Sequence, residues 1–299
     1  MTRLISLTVA ALLATTVFTG CQANRTKSAA PTAPADTKSL PNWPQLLDNF
    51  RFHWSAEPGI DITTGPAVVV RAYVESFGTA TFALDPARVY PGFDRATPEN
   101  QKLEGDFLWQ LVQIRPLGEG YTQTVKDARP HFGYEADHLL ELTPTPNGYR
   151  AIVCIGEYAH FLESSVKPGQ FVSVGVNQAF AQQYRPTDDG VYLRQIELTQ
   201  HDPRVGANPP APVTAPQRGP APAPDDDVFG NWFITAASSS HWGPGDDPKS
   251  LAFPPPELKQ RCEDAMPVPK AERIAMMTGF KDQPPPHGEA VPGWPAKAQ

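Results

Sequence analysis

The sequence lacks the short motifs that identify common enzyme active sites. It contains no GxSxG nucleophile elbow, no phosphate-binding glycine loop, no HExxH and no pair of cysteines at zinc spacing. The seven histidines are scattered, and none stands at metal-ligand spacing from another. The sequence therefore predicts no metal and no cofactor, and no motif in it identifies an enzymatic activity.

Basic residues are scarce, which bears on the class of partner. Lysine and arginine total 25 against 32 acidic residues, so the formal net charge is −7. No run of clustered Lys and Arg occurs, and binding to phosphate backbones needs such a cluster. The sequence therefore excludes a nucleic-acid partner and indicates an acidic, water-soluble body.

Long hydrophobic runs are also scarce, and the one at the N-terminus is short. Arg3 precedes an apolar run from Leu4 to Phe18, which has too few residues for a permanent membrane-spanning helix. The following segment, Val17 to Cys21, resembles a bacterial lipobox, which implies that Cys21 is acylated and becomes the mature N-terminus. The alternative is an ordinary signal peptide with an incidental cysteine. We expect a lipoprotein held by its acyl chains, palmitate among them, on the outer face of the cytoplasmic membrane.

Only three cysteines are present, and their number suggests a cross-link. With Cys21 used for lipid, Cys154 and Cys262 remain as an even count in an oxidising compartment. A bridge between them would contribute roughly 4 to 5 kcal/mol in the chain-entropy model. The alternative is that Cys154 is a small buried residue and Cys262 a free thiol.

Proline is unevenly distributed, and its distribution predicts the domain organisation. Twenty of the 35 prolines lie in residues 203–299, and eight of these lie between Pro203 and Pro224, which is typical of an extended linker. The sequence predicts a signal peptide (1–20), a flexible tether (21–40), an α+β domain (41–202), a Pro/Ala-rich linker (203–227) and an aromatic, Pro-rich tail with short helices (228–299). We expect the tail to pack on the domain or to engage another envelope protein.

The segment from Gly65 to Pro86 predicts the one long helix of the α+β domain. Its apolar residues recur at spacings of three and four, as on one stripe of a helix. Gly78 in the middle of this helix costs about 1 kcal/mol relative to alanine, so we expect a close packing contact there.

Four strands are predicted after this helix. They cover residues 134–143, 149–160, 171–178 and 191–200, and the Asn147-Gly148 pair between the first two is a hairpin signal. The second strand is apolar on both faces around Cys154, which predicts a central strand. The fold class is therefore α+β, with a long N-terminal helix packed in a curved antiparallel sheet, followed by a Pro-rich, partly ordered tail.

A family resemblance accompanies these elements. The helix AVVVRAYVESF, the segment DPARVYPGF and the hairpin strands with His-Leu-Leu and Val-Cys resemble uncharacterised actinobacterial secreted lipoproteins. Their domain is similar to the nuclear transport factor two-like (NTF2-like), or ketosteroid isomerase-like, cone fold. That resemblance implies a cone open at one end, and it implies no catalytic motif.

Two function classes follow from these observations. The first is a non-enzymatic binding or assembly module of the cell envelope, and the second is a small-molecule binder or acid/base enzyme that uses the cone pocket. For the second class the candidate residues are Tyr134, His138, Tyr158 and His160, because strand parity groups Tyr134 with His138 and Tyr158 with His160. The alternative is that these four side chains are core or rim residues.

Overall fold

A curled seven-stranded sheet and one long helix organise the part of the chain that the structure describes. A computed structural model describes residues 42–176, 189–206, 208 and 210–296, and its architecture is mixed α+β with few helices. The strands are β1 (Asn49–Ala56), β2 (His131–Thr145), β3 (Gly148–Gly156), β4 (His160–Glu163), β5 (Phe171–Ser173), β6 (Val191–Thr199) and β7 (Phe233–Ser238). The helices are α1 (Gly65–Ala83), α2 (Phe93–Ala96), α3 (Trp109–Val112), α4 (Pro256–Ala265) and α5 (Lys270–Met277).

The sheet is antiparallel except for one strand pair. Its order is β5-β4-β2-β3-β6-β7, and β1 runs parallel to β2 with Trp54 opposite Asp137. The predicted hairpin at Asn147-Gly148 joins β2 to β3. β3 lies between β2 and β6 and is buried on both faces, which confirms the predicted central strand.

Two strand predictions need correction. The sequence predicted one strand over residues 149–160, but β3 ends at Gly156 and a turn precedes β4, which pairs with the first residues of β2. The strand predicted over 171–178 ends at Ser173, and residues 177 and 178 lie outside the described residues. The sequence did not predict β7, because it lies beyond the proline-rich segment.

The two faces of the sheet carry separate hydrophobic clusters. Alternate residues of β3 divide between them: Val153 and Ile155 join a cluster with α1, whereas Ile152 and Cys154 join a cluster with α4 and α5. We call the face toward α1 the inner face and the face toward α4 and α5 the outer face. The candidate site described below lies on the inner face.

Helix α1 is buried nearly all round, which the sequence did not predict. The predicted helix has one apolar stripe, but Arg71, Glu75 and Thr79 are buried as well. The sheet covers one side, and residues of the C-terminal segment, including Trp294, join the same cluster. The close contact expected at Gly78 is present, since a Cβ there would lie 3.1 Å from the ring of Phe52.

Residues 211–296 are part of the folded body. β7 pairs with β6, and Phe229, Phe233 and Trp294 are almost completely buried. A disulfide joins Cys154 of β3 to Cys262 of α4 across the outer face, with a Cα–Cα distance of 5.2 Å. The bridge closes a loop with a sequence separation of 108, which the chain-entropy model values at about 4.7 kcal/mol.

Candidate functional site

Two of the four acid/base candidates lie on β2. Ser55 Oγ lies 2.8 Å from Nδ1 of His138, and the ring of Tyr134 stacks on His53 with centroids 4.4 Å apart. Tyr134 packs against the outer-face cluster. Burial lowers the pKa of His138, so its imidazole is mainly neutral at pH 7.

The other two candidates, Tyr158 and His160, have different surroundings. Tyr158 belongs to the outer-face cluster, whereas the ring of His160 lies 4.6 Å from Phe50 and 4.7 Å from Phe82. Tyr158 lies in the turn between β3 and β4 and His160 is the first residue of β4, so the strand parity that grouped them does not hold. The structure therefore does not bring the four candidates into one site.

His160 forms a buried pair with a histidine that the sequence analysis passed over. His131 Nδ1 lies 2.6 Å from His160 Nε2. Burial lowers the pKa of His131 to about 4 and lowers that of His160 well below its usual value, and the neighbouring His131 adds to the second effect. Both rings are therefore neutral at pH 7, and one donates its proton to the other.

A crevice runs beside this pair, between the C-terminal half of α1, the inner face and the segment 121–129, which contributes the charged side chains of Asp127 and Arg129. It consists of two adjoining cavities of about 190 Å³ and about 80 Å³. Thr81, Phe82 and Glu157 line both cavities, and His131 and His160 line the larger one. We refer to the two cavities together as the crevice.

Two acidic side chains of β2 lie on the inner face, and one of them lines the crevice. Glu135 lines the smaller cavity, and Asp137 follows it on the same face of the strand. Their residues are only 3% and 1% exposed, and neither oxygen of the Asp137 carboxyl group has a hydrogen-bond partner among the described residues.

Burial raises the pKa of both carboxyl groups well above the usual range. For Glu135 the next cause is the charge of Glu157, and for Asp137 it is the charge of Glu135. Arg194 acts in the opposite direction on both groups. A carboxyl group in such surroundings is protonated at pH values where an exposed one is ionised, so it can donate a hydrogen bond.

Strand β6 contributes the polar groups on the other side of the smaller cavity. Tyr192 and Arg194 line it together with Phe77 of α1. The guanidinium carbon of Arg194 lies 4.0 Å from the centroid of the Phe77 ring, and its Nε donates to Ser239 Oγ at 3.2 Å. Arg194 is therefore held by a ring contact and a hydrogen bond at the β6 end of the crevice.

Glu75, also buried on α1, has a different environment from Asp137. Its Oε1 lies 3.6 Å from Nε of Arg71, and its Oε2 accepts hydrogen bonds from Tyr90 at 2.9 Å and from the Trp294 indole at 2.7 Å. The guanidinium carbon of Arg71 lies 3.7 Å from the Trp294 ring centroid. Burial raises the pKa of Glu75 to about 7, and Arg71 opposes that rise.

Glu135 and Asp137 could have been noticed in the sequence, but their position gives a misleading signal. Two acids two residues apart on a strand are typical of a face that points to solvent. Only the placement of α1 over that face shows that they are buried. Glu75, at the centre of a predicted apolar helix, was the better signal.

Among the described residues, no three metal-ligating side chains group together, and no helix is both long and apolar enough to span a bilayer. Comparison of the chain with protein-family models, with curated proteins and with solved structures found no match.

Proposed function

We propose that this protein is a lipid-anchored extracytoplasmic lipoprotein that binds a small molecule in the crevice between α1 and the sheet. The observation that carries the proposal is a cavity lined by the buried Glu135, with a second buried carboxyl group two residues along the same strand face, that of Asp137, whose two oxygens lack a hydrogen-bond partner among the described residues. Polar groups buried without hydrogen bonds cost stability, and ligand sites are where such groups are usually retained. The proposal includes the NTF2-like cone fold, supported by a helix lying on the inner face of a curled sheet.

A small-molecule site fits the structure better than an assembly role through the tail. The large apolar side chains Phe229, Phe233 and Trp294 of the C-terminal segment are packed inside the protein, so they are not presented to a partner. Surfaces that bind proteins usually present exposed aromatic residues instead. We therefore favour the second of the two function classes that the sequence left open, as binding without an assigned reaction.

The membrane anchor of the proposal depends on Cys21, which lies outside the described residues. Two acyl chains hold a protein stably on a bilayer, whereas an unmodified chain dissociates. We expect the wild-type protein to stay with the membrane fraction after a salt wash and a Cys21→Ala variant not to incorporate labelled palmitate. Equal palmitate incorporation in both would contradict the anchor.

Thr81 offers a direct test of the crevice because it lines both cavities. A Thr81→Phe substitution should fill the space where they meet, and Thr81→Val is the matched control that removes the hydroxyl group but keeps the volume. We expect fragments found by ligand-observed NMR to bind the wild type and Thr81→Val but not Thr81→Phe. If fragments bind Thr81→Phe equally well, or if none bind the wild type, the proposal fails.

A further inference from the structure

A second cavity lies between α3 and the end of β7. Its volume is about 290 Å³, and its lining includes Trp109, Gln113, Arg194, Ser239 and His241. We call it the β7 pocket. Of its described lining residues only Arg194 also lines the crevice, so the β7 pocket is a separate site from the one proposed above.

The guanidinium group of Arg194 is held in place while its terminal nitrogen atoms stay available. Its carbon atom lies 4.0 Å from the centroid of the Phe77 ring, and its Nε donates a hydrogen bond to Ser239 Oγ at 3.2 Å. Among the described residues, neither terminal nitrogen has a hydrogen-bond or ion-pair partner. A guanidinium group fixed in this way can bind a planar anion through two parallel hydrogen bonds.

The acidic groups near Arg194 on the crevice side do not replace such an anion. Burial raises the pKa values of Glu135 and Asp137, which keeps both carboxyl groups protonated and therefore neutral. Glu157 lines the smaller crevice cavity together with Arg194, but no ion pair joins these two residues. The guanidinium charge is therefore not neutralised by a carboxylate in contact with it.

No acidic side chain faces Arg194 from the pocket side either. The described lining residues of the β7 pocket include no aspartate and no glutamate. Leu103, which lines the pocket, is flanked by Lys102 and Glu104, and these two opposite charges lie 3.5 Å apart in an ion pair of their own. A ligand in the β7 pocket therefore meets the positive charge of Arg194.

Aromatic rings form part of the remaining wall. The ring centroids of Trp109 and His241 lie 4.6 Å apart, and Ser240 Oγ lies 2.9 Å from Nδ1 of His241. Val112 adds apolar surface. A cavity of about 150 Å³ holds benzene, so a pocket of about 290 Å³ has room for one flat ring beside the guanidinium group.

We propose that the β7 pocket binds a small organic carboxylate with a flat apolar body, whose two oxygens accept hydrogen bonds from the terminal nitrogens of Arg194. The apolar body lies against Trp109 and Val112. A neutral ligand forms weaker hydrogen bonds with the guanidinium group, and a cation is repelled by it. This second site goes beyond the proposed function and does not depend on a ligand in the crevice.

Three probes of the same shape and different charge test the inference: benzoate, benzamide and benzamidinium. The full chain is followed by methyl-detected NMR, with Val112 and Ala237 reporting on the β7 pocket and Leu84 and Leu162 on the larger cavity of the crevice. We expect benzoate to shift the pocket signals and to bind at least about tenfold more tightly than benzamide, and benzamidinium not to shift them. Acetate should bind more weakly than benzoate, because it lacks the ring.

Substitutions identify the group responsible. Arg194→Gln should weaken benzoate binding at least about tenfold while leaving benzamide binding unchanged. Arg150→Gln is the matched control, because Arg150 is a half-exposed strand arginine in an ion pair with Glu197, and it should bind the probes like the wild type. Ser239→Ala keeps Arg194 but removes its anchor, and it should weaken benzoate binding by a smaller factor than Arg194→Gln.

The outcomes separate this inference from the proposed function. If benzamide or benzamidinium binds the β7 pocket as tightly as benzoate, if Arg194→Gln binds benzoate like the wild type, or if no probe shifts the pocket signals, the inference is overturned and the crevice is unaffected. If benzoate shifts only the crevice signals, the inference is overturned and a ligand site in the crevice is supported. Fragments that shift the signals of the β7 pocket are left out of the Thr81 comparison.

Discussion

The two buried acidic regions of the inner face differ in what surrounds the carboxyl groups. Glu75 contacts Arg71, Tyr90 and Trp294, and Trp294 reaches it from 219 residues away in the chain. Asp137 is equally inaccessible, yet its oxygens have no hydrogen-bond partner among the described residues. Both residues carry a buried carboxyl group, but only that of Glu75 has hydrogen-bond and ion-pair partners among the described residues.

This difference separates a structural role from a functional one. A buried carboxyl group with hydrogen-bond or ion-pair partners recovers much of the cost of leaving water, whereas one without partners recovers none of it. Residues retained at such a cost are concentrated at functional sites. We therefore assign Glu75 to the stability of the fold, and we propose that Asp137, with Glu135 next to it on the strand face, serves the binding of a ligand.

Truncating Trp294 should give the largest effect. Trp294→Ala removes a fully buried indole together with its hydrogen bond to Glu75 and its contact with Arg71, so we expect the free energy of unfolding to fall by about 3–5 kcal/mol. Chemical denaturation measures it. Trp232→Ala, at a half-buried indole, is the control and should cost less. Equal losses of unfolding free energy in the two variants would contradict the stabilising role assigned to the contacts of Trp294 with Glu75 and Arg71.

Neutralising Glu75 should give the next largest effect. Glu75→Gln leaves the buried Arg71 without its ion pair, and we expect a loss of about 3 kcal/mol in the free energy of unfolding. Adding Arg71→Met should recover part of that loss, because no unpaired charge then remains buried. If the double variant loses more free energy of unfolding than the two single variants lose together, the structural role assigned to this ion pair is incorrect.

The pH dependence of stability reports on both kinds of buried group. The raised pKa values of Glu75, Glu135 and Asp137 contribute stability that is present below about pH 4, the unfolded value, and is lost as the pH rises, in the case of Glu75 around pH 7. The lowered pKa values of His131 and His160 contribute stability that is present above about pH 6.5 and is lost as the pH falls.

These two dependences oppose each other between about pH 4 and 6.5, and above that only the carboxyl groups act. We expect the free energy of unfolding to decrease between pH 6.5 and 9, by at most about 1.4 kcal/mol per pH unit for each group that titrates. Asp137→Asn should reduce the slope. A wild-type stability that rises over this range would contradict the assignment of raised carboxyl pKa values.

Much of the local structure could be predicted because its signals are local. The sequence predicts a helix from Gly65 to Pro86 and the structure has one from Gly65 to Ala83. The Asn147-Gly148 hairpin and the two-sided β3 follow from turn chemistry and alternation. The Cys154–Cys262 bridge, which the sequence left open, is present.

The site itself could not be predicted, because it depends on contacts between distant segments. The composition around β7 and Trp294 is typical of a linker and tail, so nothing local indicates that Trp294 covers Glu75 or that α1 is enclosed. Likewise the spacing of Glu135 and Asp137 predicts a strand face that points to solvent. In the structure α1 covers this face, which the local sequence does not indicate. Of the four acid/base candidates predicted from the sequence, only His160 lines the crevice.

The smallest expected change is also the most direct test of the contrast between the two regions. At pH 8, Asp137→Asn replaces a buried group that is costly to ionise with a neutral one of the same shape, and the account predicts a free energy of unfolding equal to the wild-type value or about 1 kcal/mol higher. Urea denaturation of both proteins at pH 8 measures it. A loss of about 2 kcal/mol or more would mean that Asp137 stabilises the fold as Glu75 does, and would contradict the assignment of the crevice to ligand binding.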